Sequence, residues 1–170
     1  MNNYKDTILE RVKEVLNTHG STELKGRYGI GDPGVVNKSQ LSKPMAFISY
    51  EEQSLDMDAS HEMESTLPVV IDIVCDMTRD FGQGLDAKSH QRVISLACGR
   101  NDDFSIREDS VSGVFMHHQD LTKTGDPMQL FVDPATPIQV ELDYQTRDKG
   151  LVTAEAIVHL TLKTNQLINL

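Results

Sequence analysis

Three shortages bound what this sequence can be. No apolar run approaches the ~20 residues of a helical membrane span, and the start, Met1-Asn2-Asn3-Tyr4-Lys5-Asp6, does not read as a signal peptide. The expectation is a protein that stays in the cytosol where it is made, with no membrane partner. Cysteine is scarce: Cys75 falls in a strand pattern and Cys98 in a helix pattern, so buried thiols are expected in place of a disulfide. Cations are short as well, with 16 Lys and Arg against 26 Asp and Glu, a net −10. DNA affinity comes chiefly from cations that displace counterions, so a nucleic-acid reader is not expected.

What remains is enough for one domain. A chain of 170 residues with 38% hydrophobic content buries roughly 70% of its unfolded surface as a single unit, here 1–170. Its charge is uneven. Residues 1–44 hold seven Lys and Arg against five Asp and Glu, a net +2, and the remainder holds nine against 21, a net −12. A weakly basic N-terminal segment tethered to an acidic body suits a segment that lies on acidic protein, its own or a neighbour's.

The chain organises around Leu67-Pro68-Val69-Val70-Ile71-Asp72-Ile73-Val74-Cys75-Asp76. β-branched residues after a proline predict a central strand starting at Pro68, with Ile71, Ile73 and Cys75 on one face and Val70, Asp72, Val74 and Asp76 on the other. Before it, Tyr4, Ile8, Val12, Val15 and Leu16 recur at helical spacing up to Gly20. From Ser21 to Lys43 periodicity disappears among Gly26, Gly29, Gly31, Pro33 and Gly34, which predicts a long arm over about 21–44 that orders in an assembly. Met45–Tyr50 reads as a strand. The link from Glu51 to Glu64 carries Glu51, Glu52, Asp56, Asp58, Glu62 and Glu64 with no Lys or Arg, and is expected to be extended and wet.

Beyond the central strand, His90, Val93, Ile94, Ala97 and Cys98 predict a helix from about Asp86, with Gly99 as its cap. Phe104–Val111 and Gly113–Met116 read as short strands, and Gly125-Asp126-Pro127 and Asp133-Pro134 as turns. Ile138, Val140, Leu142 and Tyr144 alternate with polar residues, as do Ala154, Ala156, Val158, Leu160 and Leu162. These predict two half-buried strands joined at Arg147-Asp148-Lys149-Gly150. The fold class expected is α+β, a mixed, mostly antiparallel sheet with helices packed on one face.

Chemistry-bearing patterns are few. Gly29-Ile30-Gly31-Asp32-Pro33-Gly34 spells G-x-G-x-x-G, but Pro33 followed by Gly34 with no helical pattern denies the strand before and the helix after, so no nucleotide site is expected. Asp56-Met57-Asp58-Ala59-Ser60 opens like a calcium loop, yet His61 and Leu67 stand where Gly and Glu belong. His117 and His118, read on a strand, point to opposite faces and cannot chelate together. Asp72 and Asp76 share a strand face, as paired carboxylates for acid/base work do, without a recognisable nucleophile or base. The reading therefore names no catalytic residue, no cofactor and no metal.

The succession of amphipathic helix, long polar connection, strand, acid-rich link, Leu-Pro-Val-Val-Ile-Asp-Ile-Val strand, helix with Val93, Ile94 and Ala97, and closing hairpin resembles the tail terminator (tail completion) proteins of long-tailed bacteriophages. The resemblance implies a non-enzymatic virion protein of the tail or neck, assembled in the host cytoplasm as a homo-hexamer. It implies tail tube protein as one partner and a neck or head-completion protein as the other. DNA would pass its pore without specific binding: six copies carry −60 in formal charge, which repels a duplex bearing one negative charge per ~1.7 Å. Lys25, Arg27, Arg147, Asp148 and Lys149 are then expected at interfaces, and the acids Glu51, Glu52, Asp56, Asp58, Glu62 and Glu64 at the pore or a rim. A neck or head-completion connector is similar too. A small α+β ligand-binding or enzymatic domain, or an adaptor that uses its arm, remains the alternative.

Overall fold

The first helix begins where an acid closes it. In the computed structural model, which describes residues 6–36, 39–51, 54–57, 62–78, 80 and 88–167, the Asp6 carboxylate accepts from the N–H groups of Ile8 and Leu9 at 2.9 and 3.1 Å. Those are two of the donors that a helix start leaves unsatisfied. Helix α1 (Thr7–His19) then buries Leu9, Val12, Val15 and Leu16. Tyr4, expected on the same stripe, lies outside the described residues.

The chain continues as β1 (Tyr28–Ile30), β2 (Met45–Tyr50), β3 (Ser54–Met57), β4 (Glu62–Asp76), α2 (Lys88–Cys98), α3 (Val111–His117), β5 (Gln129–Val132), β6 (Gln139–Thr146) and β7 (Val152–Leu167). All seven strands join one sheet. It is mixed, because β1 runs parallel to β2 while the other pairings are antiparallel. The fold is the expected α+β, with helices packed against the sheet.

Two long strands form the middle. β4 and β7 pair from Glu62↔Leu167 to Asp76↔Thr153. β2 and β3 share the other side of β4, and β6 and β5 share the other side of β7. Leu67, Val69, Ile71, Ile73 and Cys75 of β4 and Ala154, Ala156, Val158, Leu160 and Leu162 of β7 meet the buried stripes of α1, α2 and α3 in one core. At ~1.5–3 kcal/mol for each large aliphatic buried, this layer supplies the main driving force for folding.

Several expectations need correction. β4 starts at Glu62, not at Pro68. Pro68 falls where β2 gives way to β3: its carbonyl accepts from Glu51 N at 2.8 Å, so its missing donor faces the gap between them. The link after Glu51 is a hairpin, since β3 pairs with the beginning of β4. Residues 21–44 are not an arm reaching outward. Leu24 and Tyr28 enter the main core, and Leu41 joins Val74 and Leu151 on the other side of the sheet. Three apolar side chains at irregular intervals leave no period to read, yet each finds a place.

Residues 111–117 are helix, not strand. Ser110 Oγ accepts from Gly113 N at 3.1 Å as the cap, and Val111, Ser112, Gly113, Val114 and Phe115 are all buried. Valine and glycine are weak helix formers, so burial against α1 and α2 overrides propensity here. β5, Gln129–Val132, is too short to show a period of its own. In the closing hairpin the strands and turn are as expected, but β6 is not half-buried: Leu142 and Tyr144 are 41% and 49% exposed. Val140 packs partly against the core, and the Tyr144 hydroxyl bonds to His90 Nδ1 of α2.

Candidate functional site

The feature of most chemical consequence lies on the sheet face away from the helices. Asp72 pairs in register with Ile157, and Glu155 with Val74, so the two carboxyls are diagonal neighbours on β4 and β7. Both are buried, Glu155 at 1% exposure. Arg147, from the turn before β7, lies beside them with its side chain 9% exposed. It bonds to Glu155 Oε1 through Nη2, to Thr153 Oγ1 at 3.2 Å and to the Pro33 carbonyl at 3.0 Å. Thr153 adds its own hydroxyl to Glu155 Oε1 at 3.0 Å.

One cation faces two buried acids. Burial, then the charge of Glu155, push the Asp72 carboxyl up to about 8, against the opposing pull of Arg147. With one guanidinium beside two buried acids, Asp72 keeps its proton near neutral pH and Arg147 balances Glu155. Glu155 was not singled out in the sequence, where it reads as one polar residue of an alternating strand. Asp76, the partner expected for Asp72, instead accepts from Thr78 N at 2.9 Å.

This arrangement corrects the role of Arg147, which is a buried counter-ion and not a surface contact. Arg27 is half-buried, with its guanidinium held by backbone carbonyls. Its Nε donates to the Pro44 carbonyl at 2.7 Å, and its Nη2 to those of Gln40 and Lys43 at 2.7 and 2.9 Å. It thereby clamps the chain between β1 and β2. Lys25 and Lys149 are exposed. Asp148 lies in the same short 3-10 turn as Lys149.

The acid-rich segment is less bare than its composition indicates. Glu51 Oε2 lies 3.5 Å from His159 Nδ1, and Glu64 pairs with Lys163 at 3.3 Å. Asp56 stands opposite Glu64 in the β3–β4 register, and Glu62 opens β4. Glu52 and Asp58 fall outside the described residues. His159 also meets Glu141 Oε2 at 3.2 Å, so two acids flank one imidazole beside a groove of about 420 Å³ lined by Pro68, Pro137 and Thr161.

The glycine motif begins inside β1, with Gly29 and Ile30, and ends inside one turn of 3-10 helix at Pro33–Val35. The Gly34 N–H is nevertheless taken by Asp32 Oδ1 at 2.7 Å, which puts an acid where a phosphate would need to sit. His117 and His118 end α3, and His118 stacks on His19 with ring centroids 3.8 Å apart. Burial, followed by the neighbouring His19 and His117, lowers the His118 pKa. Among the described residues no group of three His, Cys, Asp or Glu is placed to hold a metal. Both cysteines are free, and burial pushes the Cys75 thiol up to about 12, which leaves it unreactive.

No helix among the described residues is long and apolar enough to cross a membrane. No protein-family model matches the chain, and no curated protein matches it.

Proposed function

We propose that the chain is a non-enzymatic virion subunit, a tail terminator that closes as a six-membered ring on tail tube protein, stops the tube growing, and offers the surface that joins the head through a neck protein. The observation that carries this reading is an unfinished sheet. β6 ends the sheet with Leu142 and Tyr144 substantially exposed, and large apolar side chains along a rim mark a surface that another chain completes. Ile30, at the opposite rim on β1, is 40% exposed. A subunit with two unlike rims suits a ring, because a heterologous contact that closes needs two different surfaces.

The acid–arginine cluster fits a structural role. Its acids are buried and Arg147 ties them to the chain at Pro33, which suits a cluster that stiffens the sheet. Glu64 is exposed on β4 near one end of the two longest strands, which suits a wet rim past which DNA slides without sticking.

A second reading, a small enzymatic or ligand-binding domain, draws on the Glu51–His159–Glu141 arrangement beside its groove, since a histidine held by carboxylates is the usual general base. Native mass separates the two. Electron micrographs and light scattering of the purified protein, alone and with tube protein, should show a ring; monomer under both conditions overturns the terminator reading. So do virions that lack the protein and still carry tails of normal length joined to heads.

A further inference from the structure

Strand β6 is a long edge with little protection. It pairs with β7 over Gln139–Thr146 without interruption, contains no Lys or Pro, and has no second strand partner among the described residues. Proteins usually blunt such an edge with a lysine, a proline or a bulge, because its outward N–H and C=O groups recruit another strand. The opposite end of the same part of the sheet, in the order β1-β2-β4-β7 with β6 beyond, is β1. There Arg27 O and Gly31 N bond to β2, so by the alternation of a parallel ladder the backbone groups of Tyr28 and Ile30 turn outward.

The two edges match in three respects. The first is direction: β2 runs with β1, and each step from β2 through β4 and β7 to β6 reverses it, so β6 of one copy meets β1 of a like-oriented neighbour antiparallel. The second is face. Ile30 pairs with Ile48, and Leu142 with Ala156; Ile48 and Ala156 both belong to the core beneath the helices. Ile30 and Leu142 therefore extend the same apolar layer from its two ends.

The third is charge. Strand β6 carries Glu141 and Asp143 with no cation between Gln139 and Thr146, while β1 is flanked by Lys25, Arg27 and Lys43 against Glu23 and Asp32, a net +1. Pairing β6 with β6 about a two-fold axis would set these acids against each other, so charge selects β1 as the partner.

We propose that neighbouring copies join edge to edge, β6 of one copy pairing antiparallel with β1 of the next and Ile30 lying against Leu142. The inference deepens the ring reading and rests on it. The sheet then continues from subunit to subunit, and the Leu142 and Tyr144 side chains come under the neighbour's helix layer.

Disulfide trapping tests it, because opposed residues of an antiparallel pair bring their Cβ atoms within about 5.5 Å. In a Cys98→Ser background, the double variant Ile30→Cys/Leu142→Cys, oxidised at high concentration or on tube protein, should give a non-reducing ladder up to the ring. Each single variant alone should stay unlinked, and the two single variants co-assembled should yield dimer. Dimer from Leu142→Cys alone overturns the proposal in favour of two-fold pairing. An oligomer by light scattering with no ladder overturns it while the ring reading stands; monomer throughout overturns both. Leu142→Lys gives an independent readout that spares β1: native circular dichroism with loss of the oligomer is expected, and an oligomer that persists refutes the edge contact.

Discussion

Asp72 and Glu155 are buried diagonal neighbours on the two central strands, and the Arg147 guanidinium bonds to Glu155. The pair is neutralised only if it keeps one proton, and that requirement has a sign. Folding holds the Asp72 proton up to about pH 8, whereas an unfolded aspartate releases it near ~3.9. Between those values the native state binds the extra proton, so this contribution is fully present below the unfolded value and is lost as pH rises toward 8.

Urea denaturation from pH 5 to 8 should therefore show a downward trend that Asp72→Asn largely removes. His118 acts in the opposite direction, since its lowered pKa makes stability rise as pH climbs toward ~6.5. The difference between wild type and the Asn variant isolates the aspartate. Equal slopes for the two proteins would show that the proton is not held there.

Arg147 and Lys149 are two residues apart and should behave unlike each other. Removing the Arg147 guanidinium by Arg147→Met leaves Glu155 buried without its counter-ion, a loss of roughly 3–5 kcal/mol. Lys149→Glu, on an exposed turn, should change stability by less than ~1 kcal/mol. Thermal unfolding of both variants checks the contrast, and similar small effects would argue against a buried cluster.

Gly113→Ala reverses the usual expectation for a helix. Propensity alone predicts a gain of about 1 kcal/mol. A Cβ there, however, would lie 1.9 Å from the Arg107 carbonyl oxygen, so α3 would have to move away from the loop that caps it. A loss of at least ~2 kcal/mol is expected, read from the denaturation midpoint. A more stable alanine variant would mean that the loop yields freely.

The sequence discloses those parts of the fold whose side chains repeat. The apolar stripe of α1, the strand at Met45–Tyr50 and the alternation along β7 are legible, because one periodic face meets one continuous core; β6 alternates too, although Leu142 and Tyr144 stay exposed. Residues 21–44 and α3 are not legible. The first bury Leu24, Tyr28 and Leu41 one at a time, and α3 is buried nearly all round, so neither presents a contrast between faces. The acid cluster is hidden for a related reason. Alternation tells that Asp72 and Glu155 leave the main core, but not that the second face of the sheet is covered by the chain at Pro33. Arg147, set among Asp148, Lys149 and Gly150, has the look of an ordinary polar turn.

The pairing of β4 with β7 also bears on how the chain is made. Synthesis delivers residues 62–76 long before residues 152–167, and those two segments are the middle of the sheet. Until the later one leaves the ribosome, β4 holds an apolar face and one open side, while β2 and β3 can add only to the other. Contacts so distant in sequence form slowly, and a waiting strand edge invites aggregation. The nascent chain therefore passes through a stretch in which its central strand lacks its main partner, the interval in which a holding chaperone would act.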